Sequence, residues 1–511
     1  MKGFFRRAGA KIGRFFLSWG FLKFVLWTVT LVILIYVEED WRGARAWAAT
    51  KAEWEAKGET FDYNKFIPPP IPDDENLAAI PLFKIETVQD GGMTYPAPAA
   101  LRKAMRSDLP NFDFPRLGDL SKGELPDRSK IQNVLAIDYA GAFNGAKPPG
   151  DTLAQFNAIF PFFADLLAAS AERPLCRLNL DYTIFPPMYR SLGLLTDQIK
   201  LSKILTLHAV LALDQQQPDL ALEDIKLNYK LLSGVKRDPS LVGGLVAIGM
   251  TAINQPALRD GLAQHLWSDA QLVELEQTLE PIDFLADYQF AMTSGAAASV
   301  ANLDSFKESA SRSAFGGFLV QKADDDLPVM ISPLPRWPGG WWDNNKSQLA
   351  AFFFQKMATV DPRSRLVFPE VDLSLQLQFE KKRARWDAIA PWNCWFCISA
   401  PAWDKCTQTF AVAQARIDEA RIACALERYR LAHGVYPGAL EGLAPAYIDA
   451  LPHDIMNGEP YHYQLRADGT YLLYSVGWNE TDDGGKIVFK KDNPTAADYN
   501  EGDWVWPTPK Y

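Results

Sequence analysis

Five cysteines, Cys176, Cys394, Cys397, Cys406 and Cys424, come nearest in type and spacing to a reaction centre. Cys394-Trp-Phe-Cys397 has the spacing of a redox dithiol, but a thioredoxin-like site needs a βαβ unit around it, and that pattern is missing. Cys394, Cys397, Cys406 and Cys424 are enough thiols for zinc, yet the second pair is spaced wrongly for a structural site. The expectation is therefore one or two structural disulfides plus buried thiols, with at least one cysteine unpaired. Histidine is scarce. His208 lies on an apolar helical face and reads as core, His453 sits in a turn beside Asp454, and His462 alternates onto a strand face. No H-E-x-x-H, G-x-S-x-G, phosphate loop or dinucleotide fingerprint is present. Carboxylates brought together from distant positions need no local motif. An extracytoplasmic hydrolase of glycan or peptidoglycan, its pocket lined by the aromatics of 337–342, is accordingly the alternative reading.

The elements that would position such residues begin with a membrane segment. Phe24 to Val37 is an unbroken run without charge, and Phe15-Phe16-Leu17 and Phe21-Leu22 precede it. A hydrocarbon core of about 30 Å takes a helix of about 20 residues, which this segment supplies. Lys2, Arg6, Arg7, Lys11, Arg14 and Lys23 flank it, and no acid appears before Glu38. Basic residues favour the cytoplasmic side, so residues 1–38 are expected to form a cytoplasmic start and single anchor, with the bulk outside. A cleaved signal peptide is the competing reading, with Ala44-Arg45-Ala46 as a mimic of its cleavage site, but Glu38 to Arg42 separates this from the apolar run. With those six cations removed from the chain's 52 Lys and Arg, 46 remain against 62 Asp and Glu, a net of −16. So acidic a body repels phosphate backbones, and nucleic acid is not an expected partner.

Residues 39–98 read as a helical stalk, with Trp47 and Trp54 seven apart, followed by the stiff spacer Ile67-Pro-Pro-Pro-Ile-Pro72 that would hold the body off the membrane. Asp73, Asp74 and Glu75 after it read as a solvated turn. Residues 99–308 are expected to be a body of antiparallel helical hairpins. Leu201, Ile204, Leu205, His208, Leu211 and Ala212 share one face, and Leu222, Ile225, Tyr229 and Leu232 another. Ser268 with Gln271 is a capping-box signal for a further helix. The 200–258 stretch is superficially tetratricopeptide-like, without a repeated 34-residue signature. Residues 309–403 form a connector: a Gly-, Ser- and Pro-rich loop to 345, whose Trp337, Trp341 and Trp342 suit packing on the body or a partner, then helical segments.

The last unit, 404–511, reads as a small α+β module. Phe410, Ala413, Ile417, Ala420 and Cys424 make a narrow helical stripe, and Gly434 stands where a left-handed cap is expected. Tyr461, Tyr463 and Leu465 alternate with polar residues, Asp468-Gly469 is a turn dipeptide, and Tyr471 to Ser475 returns. Ile487-Val-Phe489 is expected to pair with this hairpin. The acidic loop Asn479-Glu-Thr-Asp482-Asp483-Gly-Gly485 lies between them.

Leu426-Glu-Arg-Tyr429-Arg-Leu-Ala-His-Gly434-Val-Tyr436-Pro437, then Leu451-Pro-His-Asp454, Asn457-Gly-Glu-Pro460-Tyr-His-Tyr463, Tyr474-Ser-Val-Gly477 and Asp483-Gly-Gly485, resemble the globular part of type II secretion pseudopilins of the G class. The likeness covers 404–489. It implies a long helix on a small antiparallel sheet, and calcium in the acidic loop with Asn479, Asp482 and Asp483 as ligands, a donor set suited to a hard cation. Pseudopilins carry a Gly/Phe cleavage site and a Glu five residues into the apolar helix. Here Gly20-Phe21 is followed by Leu22-Lys23 with no acid until Glu38, which argues against polymerisation as a pilin. The chain as a whole is similar to large, singly anchored bacterial envelope proteins. The expectation is a mainly α, non-enzymatic structural or protein-interaction protein of the bacterial inner membrane. Its bulk would lie in the periplasm beside other envelope proteins, in the company of a type II secretion or pilus-like apparatus.

Overall fold

The computed structural model describes residues 18–90, 93–105, 127, 129, 131, 135, 150–182, 188–312, 337–384, 405–493 and 496–506. The protein is mainly helical, with a few small antiparallel sheets. Helix α1 (Trp19–Ala56) joins the apolar run and the stalk in one rod, started by Ser18, whose Oγ accepts the Phe21 N–H. At 38 residues it is about 57 Å long, against about 30 Å for a hydrocarbon core. Its apolar part is long enough to cross a membrane, and none of that span is buried among the described residues. After the hairpin of β1 (Glu86–Asp90) and β2 (Met93–Ala97) come α2 (Ala99–Ala104), α3 (Thr152–Ile159) and α4 (Phe163–Glu172).

The body is built on α5 (Met188–Asp214), α6 (Pro218–Val235) and α7 (Leu241–Ala263), which pack on one another. Each start is written locally. Pro218 opens α6 at the one place where its missing N–H costs nothing, and Ser240 caps α7 through the Gly243 N–H. Ser268 and Gln271 form the expected capping box of α8 (Asp269–Leu279). The long α9 (Phe284–Arg312) follows, and α10 (Gly339–Met357) lies against both α9 and α1. Trp341 and Trp342, expected in a loop, are in the first turn of α10.

The stalk and spacer differ from expectation. Gly43 of α1 meets the Gly340 backbone so closely that a Cβ at either glycine collides. Trp54 stacks on Phe354 at 4.8 Å, so α1 and α10 run side by side in the same direction. The Pro-rich segment follows the body's surface instead of standing it off. Tyr63 is buried against Ala297 and Ala298, Phe66 meets Phe290, and the Pro68 carbonyl accepts the Arg177 Nε–H at 3.1 Å. Apolar rings outweigh the stiffness of the prolines here, because ring burial is worth about 1.5–3 kcal/mol per side chain. Asp73, Asp74 and Glu75 are exposed in a turn, as expected.

Short strands β3 (Val360–Asp361) and β4 (Leu366–Val367) precede α11 (Pro369–Ala384). Helix α12 (Cys406–His433) ends at Gly434, which is left-handed with φ of 78°. Its surroundings exceed a helix on a sheet. It contacts α7, α8 and α9 as well as β6 and β9, and one core runs unbroken across residue 404. Strands β5 (His462–Leu465) and β6 (Tyr471–Ser475) make the expected hairpin, with Tyr463 opposite Leu473. The third strand of that sheet is β9 (Trp504–Trp506), beside β6. Ile487–Phe489 forms β7 and pairs instead with β8 (Ala497–Gly502). Trp504 and Trp506 offer the deeper burial, and this takes the edge of β6.

Candidate functional site

In the acidic loop Asn479, Thr481, Asp482 and Asp483 each have a hydrogen-bond partner. Asp482 accepts the Tyr474 hydroxyl at 2.8 Å and the Gly484 N–H at 2.9 Å, and its other oxygen is 3.5 Å from His462 Nδ1. Asp483 accepts the Asn479 amide at 3.0 Å. Beneath them the buried Asp503 carboxylate accepts the N–H groups of Asp483, Gly485 and Lys486 at 3.2, 2.6 and 3.2 Å. Burial pushes the Asp503 carboxyl upward against those three bonds. The loop thus turns N–H donors inward around an anion, whereas calcium asks for about six to eight converging oxygens. Asn479, Asp482 and Asp483 do not fit a calcium shell in this arrangement. Among the described residues no group of three or more His, Cys, Asp or Glu side chains is placed to hold a metal.

The titratable groups that the fold does gather lie one layer deeper, between α12 and the C-terminal sheet. Asp418 accepts Arg365 Nη2 at 3.2 Å on both oxygens and the Gln414 amide at 3.0 Å. The Tyr461 hydroxyl approaches it at 3.4 Å. Glu419 takes Arg416 Nη1 at 2.7 Å on Oε2, while Oε1 has no partner among the described residues. The same Arg416 reaches the Val505 carbonyl of β9 at 2.6 Å. Asp454 accepts the Ser475 hydroxyl and the Val476 and Met456 N–H groups. All three carboxyls are fully buried. Burial pushes Asp418 up to about 6 despite Arg365, and Glu419 up to about 8 despite Arg416; Asp454 is raised as well. Burial thus favours the neutral form of Glu419, while the Arg416 guanidinium beside it favours the charged one. Buried throughout, the cluster ties helix to sheet.

Other buried charges are spent the same way. Lys356 and Asp372, both buried, meet at 2.6 Å, and Thr407 and Gln376 complete the carboxylate's bonds. Tyr288 then links Thr359 and Thr407, so α9, α10, α11 and α12 share one network. His208 is core, as expected, and bonds Asp224 at 2.7 Å under Phe156 and Phe163. Glu427 accepts His265, Arg430 Nε and Nη2, and the Tyr436 hydroxyl; burial opposes its charge, but these partners hold its carboxyl below the usual range. One signal for these charges was present. Glu427 continues the apolar stripe of Ala420 and Cys424, and a charge on a buried stripe demands a partner. Asp418 and Glu419 carried no such sign.

Cys176, Cys406 and Cys424 are buried free thiols, and Cys394 and Cys397 lie outside the described residues. Eighteen residues along one helix place Cys406 and Cys424 about 27 Å apart, so the two do not share a zinc ion. Burial pushes Cys406 up to about 11 and Cys176 up to about 12, far from reactive thiolate. His453 contacts the Ser364 carbonyl, and His462 stacks on Tyr474. Comparison with protein families, with characterised proteins and with solved structures finds no match to this chain.

Proposed function

We propose that this chain is an integral membrane protein held by α1, with its helical body and C-terminal sheet outside the cytoplasm, acting there as a non-catalytic docking protein for other envelope proteins. The observation that carries the reading is the bare apolar surface of α1. Trp19, Phe24, Leu26, Trp27, Leu34 and Val37 are each more than half exposed, on a helix whose other half is clamped to a folded body. In water that surface would be an aggregation site; in lipid it is the lowest-energy state. The basic flank supports a cytoplasmic N-terminus. The buried acids and bases support a non-catalytic role, since they tie helices to one another. The tryptophans that a hydrolase would use to line a pocket are instead packed at the α1–α10 contact.

Two experiments test this. Alkaline carbonate should leave the protein in the membrane pellet, and a C-terminal reporter should be active only outside the cytoplasm. Solubilisation, or a reporter active only in the cytosol, defeats the reading. Crosslinking in native membranes then identifies the company. The likeness to pseudopilins makes secretion or pilus-like components the first to look for, and their absence among the adducts removes that link.

A further inference from the structure

The structure assigns a second membrane contact to the body itself, an inference that rests on the membrane reading of α1. We infer that Trp337 and Trp341, with Trp41 of α1, form an interfacial collar seating the first turn of α10 in the lipid headgroup layer. The bare apolar run ends at Val37, which places the hydrocarbon edge there. Trp19 and Trp41 are 78% and 61% exposed, and they are 22 residues or about 33 Å apart, one at each end of the span. Tryptophan prefers such boundaries, apolar by its ring and polar by its N–H.

The body takes hold of α1 within one turn of that edge. Trp341 Nε1 donates to Glu39 at 2.8 Å, the Gly340 N–H donates to Asp40 at 2.9 Å, and Gly43 lies on Gly340. The headgroup layer is about 5–8 Å deep on each side, so Gly340 and Trp341 fall inside it. Trp337 packs on Trp341 and Trp342 at 5.8 and 5.5 Å; Trp342 is buried beneath, and the other two keep part of their surface open. Three of the acids at this level are engaged: Glu39 by Arg42 and Trp341, Asp40 by Gly340, and Asp343 by Lys307 and Lys346, while Glu38 faces outward. Arg45 lies over the Trp41 ring at 5.3 Å, a cation at phosphate height. From here α10 climbs with α1. Lys356 is therefore about 24 Å further out, and α12 begins beside it.

The test uses the full chain in discs of phosphatidylethanolamine and phosphatidylglycerol, doped with a lipid carrying a diazirine next to its headgroup. After irradiation, adducts are mapped by mass spectrometry. Labelling of the peptides holding Trp41 and Trp337–Trp341 is expected at about tenfold or more above those holding Val435 and Leu465, apolar side chains that are also exposed but remote from the interface. Adducts on the apolar run with none at 337–341 overturn the collar and leave the anchor standing. No adducts on α1 overturn both. Capture of 337–341 by a protein in native membranes, in place of lipid, also overturns the collar.

Discussion

Helices α1 and α7 are both long and apolar enough to cross a membrane, yet the fold treats them oppositely. Among the described residues the apolar half of α1 is left uncovered by the body, whereas most of α7 is enclosed by α5, α6, α9 and α12. Their sequences differ less in apolar content than in what interrupts it. Between Phe24 and Val37 only two threonines intervene, and Thr28 returns its hydroxyl to the Phe24 carbonyl. In α7, Asn254, Gln255, Arg259 and Asp260 follow one another closely, and all are buried. Such groups are costly facing lipid but tolerable within a protein that supplies partners. The polar residues of α7 lie among packed side chains, where Asn254 donates to the Ile225 carbonyl at 3.4 Å, whereas the run of α1 carries no such residues to bury.

The largest test of this contrast places charge in each helix. Leu31→Lys with Ile33→Lys should cost about 5–7 kcal/mol of insertion energy and move the protein into the carbonate supernatant. Ala247→Lys with Ala257→Lys in α7 should leave pelleting unchanged while abolishing the cooperative thermal transition, because buried unpaired charges cost several kcal/mol each. The reverse pattern would exchange the roles of the two helices. Next in size is Lys356→Met, which strands the buried Asp372 and should lower stability by about 3–5 kcal/mol in a urea titration. Adding Asp372→Leu should recover much of that loss; no recovery would show that the pair is not what matters.

The pH profile sharpens the comparison from the far end of the molecule. Glu419 has its folded pKa raised from 4.5 to about 8, so the folded state holds the proton more tightly. Its contribution is full below about pH 4.5 and is lost as pH rises toward 8, at no more than about 1.4 kcal/mol for each tenfold gain in proton affinity on folding. Asp418, raised from 3.8 to about 6, adds a loss in the same direction over its own window. Glu419→Gln should flatten the fall in urea midpoint between pH 5 and 8.5; an unchanged slope would locate the titration elsewhere. The smallest effect concerns the acidic loop. Millimolar calcium should leave the melting temperature of the whole protein unchanged, since Asp503 already fills the loop's centre. A clear rise would return Asn479, Asp482 and Asp483 to metal binding.

Much of the fold was legible where the information is local. The Ser268–Gln271 box, the Gly434 cap and the Asp468-Gly469 turn each need only a few consecutive residues, and each is present. The apolar run of α1 was equally plain. The partner of Ile487–Phe489, the burial of Asp418 and Glu419, and the docking of the stalk were not legible. Each depends on a residue far along the chain: Trp504 and Val505, Arg365, and Gly340. The Pro-rich segment shows how a sound local preference gives way. An extended preference, seen at Ile67, does not say whether the segment stands free or lies on the body; that is settled by what Tyr63 and Phe66 meet.

By itself the sequence determined that one segment is long and apolar enough to cross a membrane, that the rest is acidic and mostly helical, and where many of its helices start and stop. These follow from hydration and short-range hydrogen bonding, which a chain carries with it. Only the tertiary structure decided which apolar helix stays bare, which carboxyls lose their water, and that Gly43 and Gly340 bring the body to the edge of the apolar run. Those outcomes depend on desolvation and close packing between distant segments, which have no magnitude until the chain has folded.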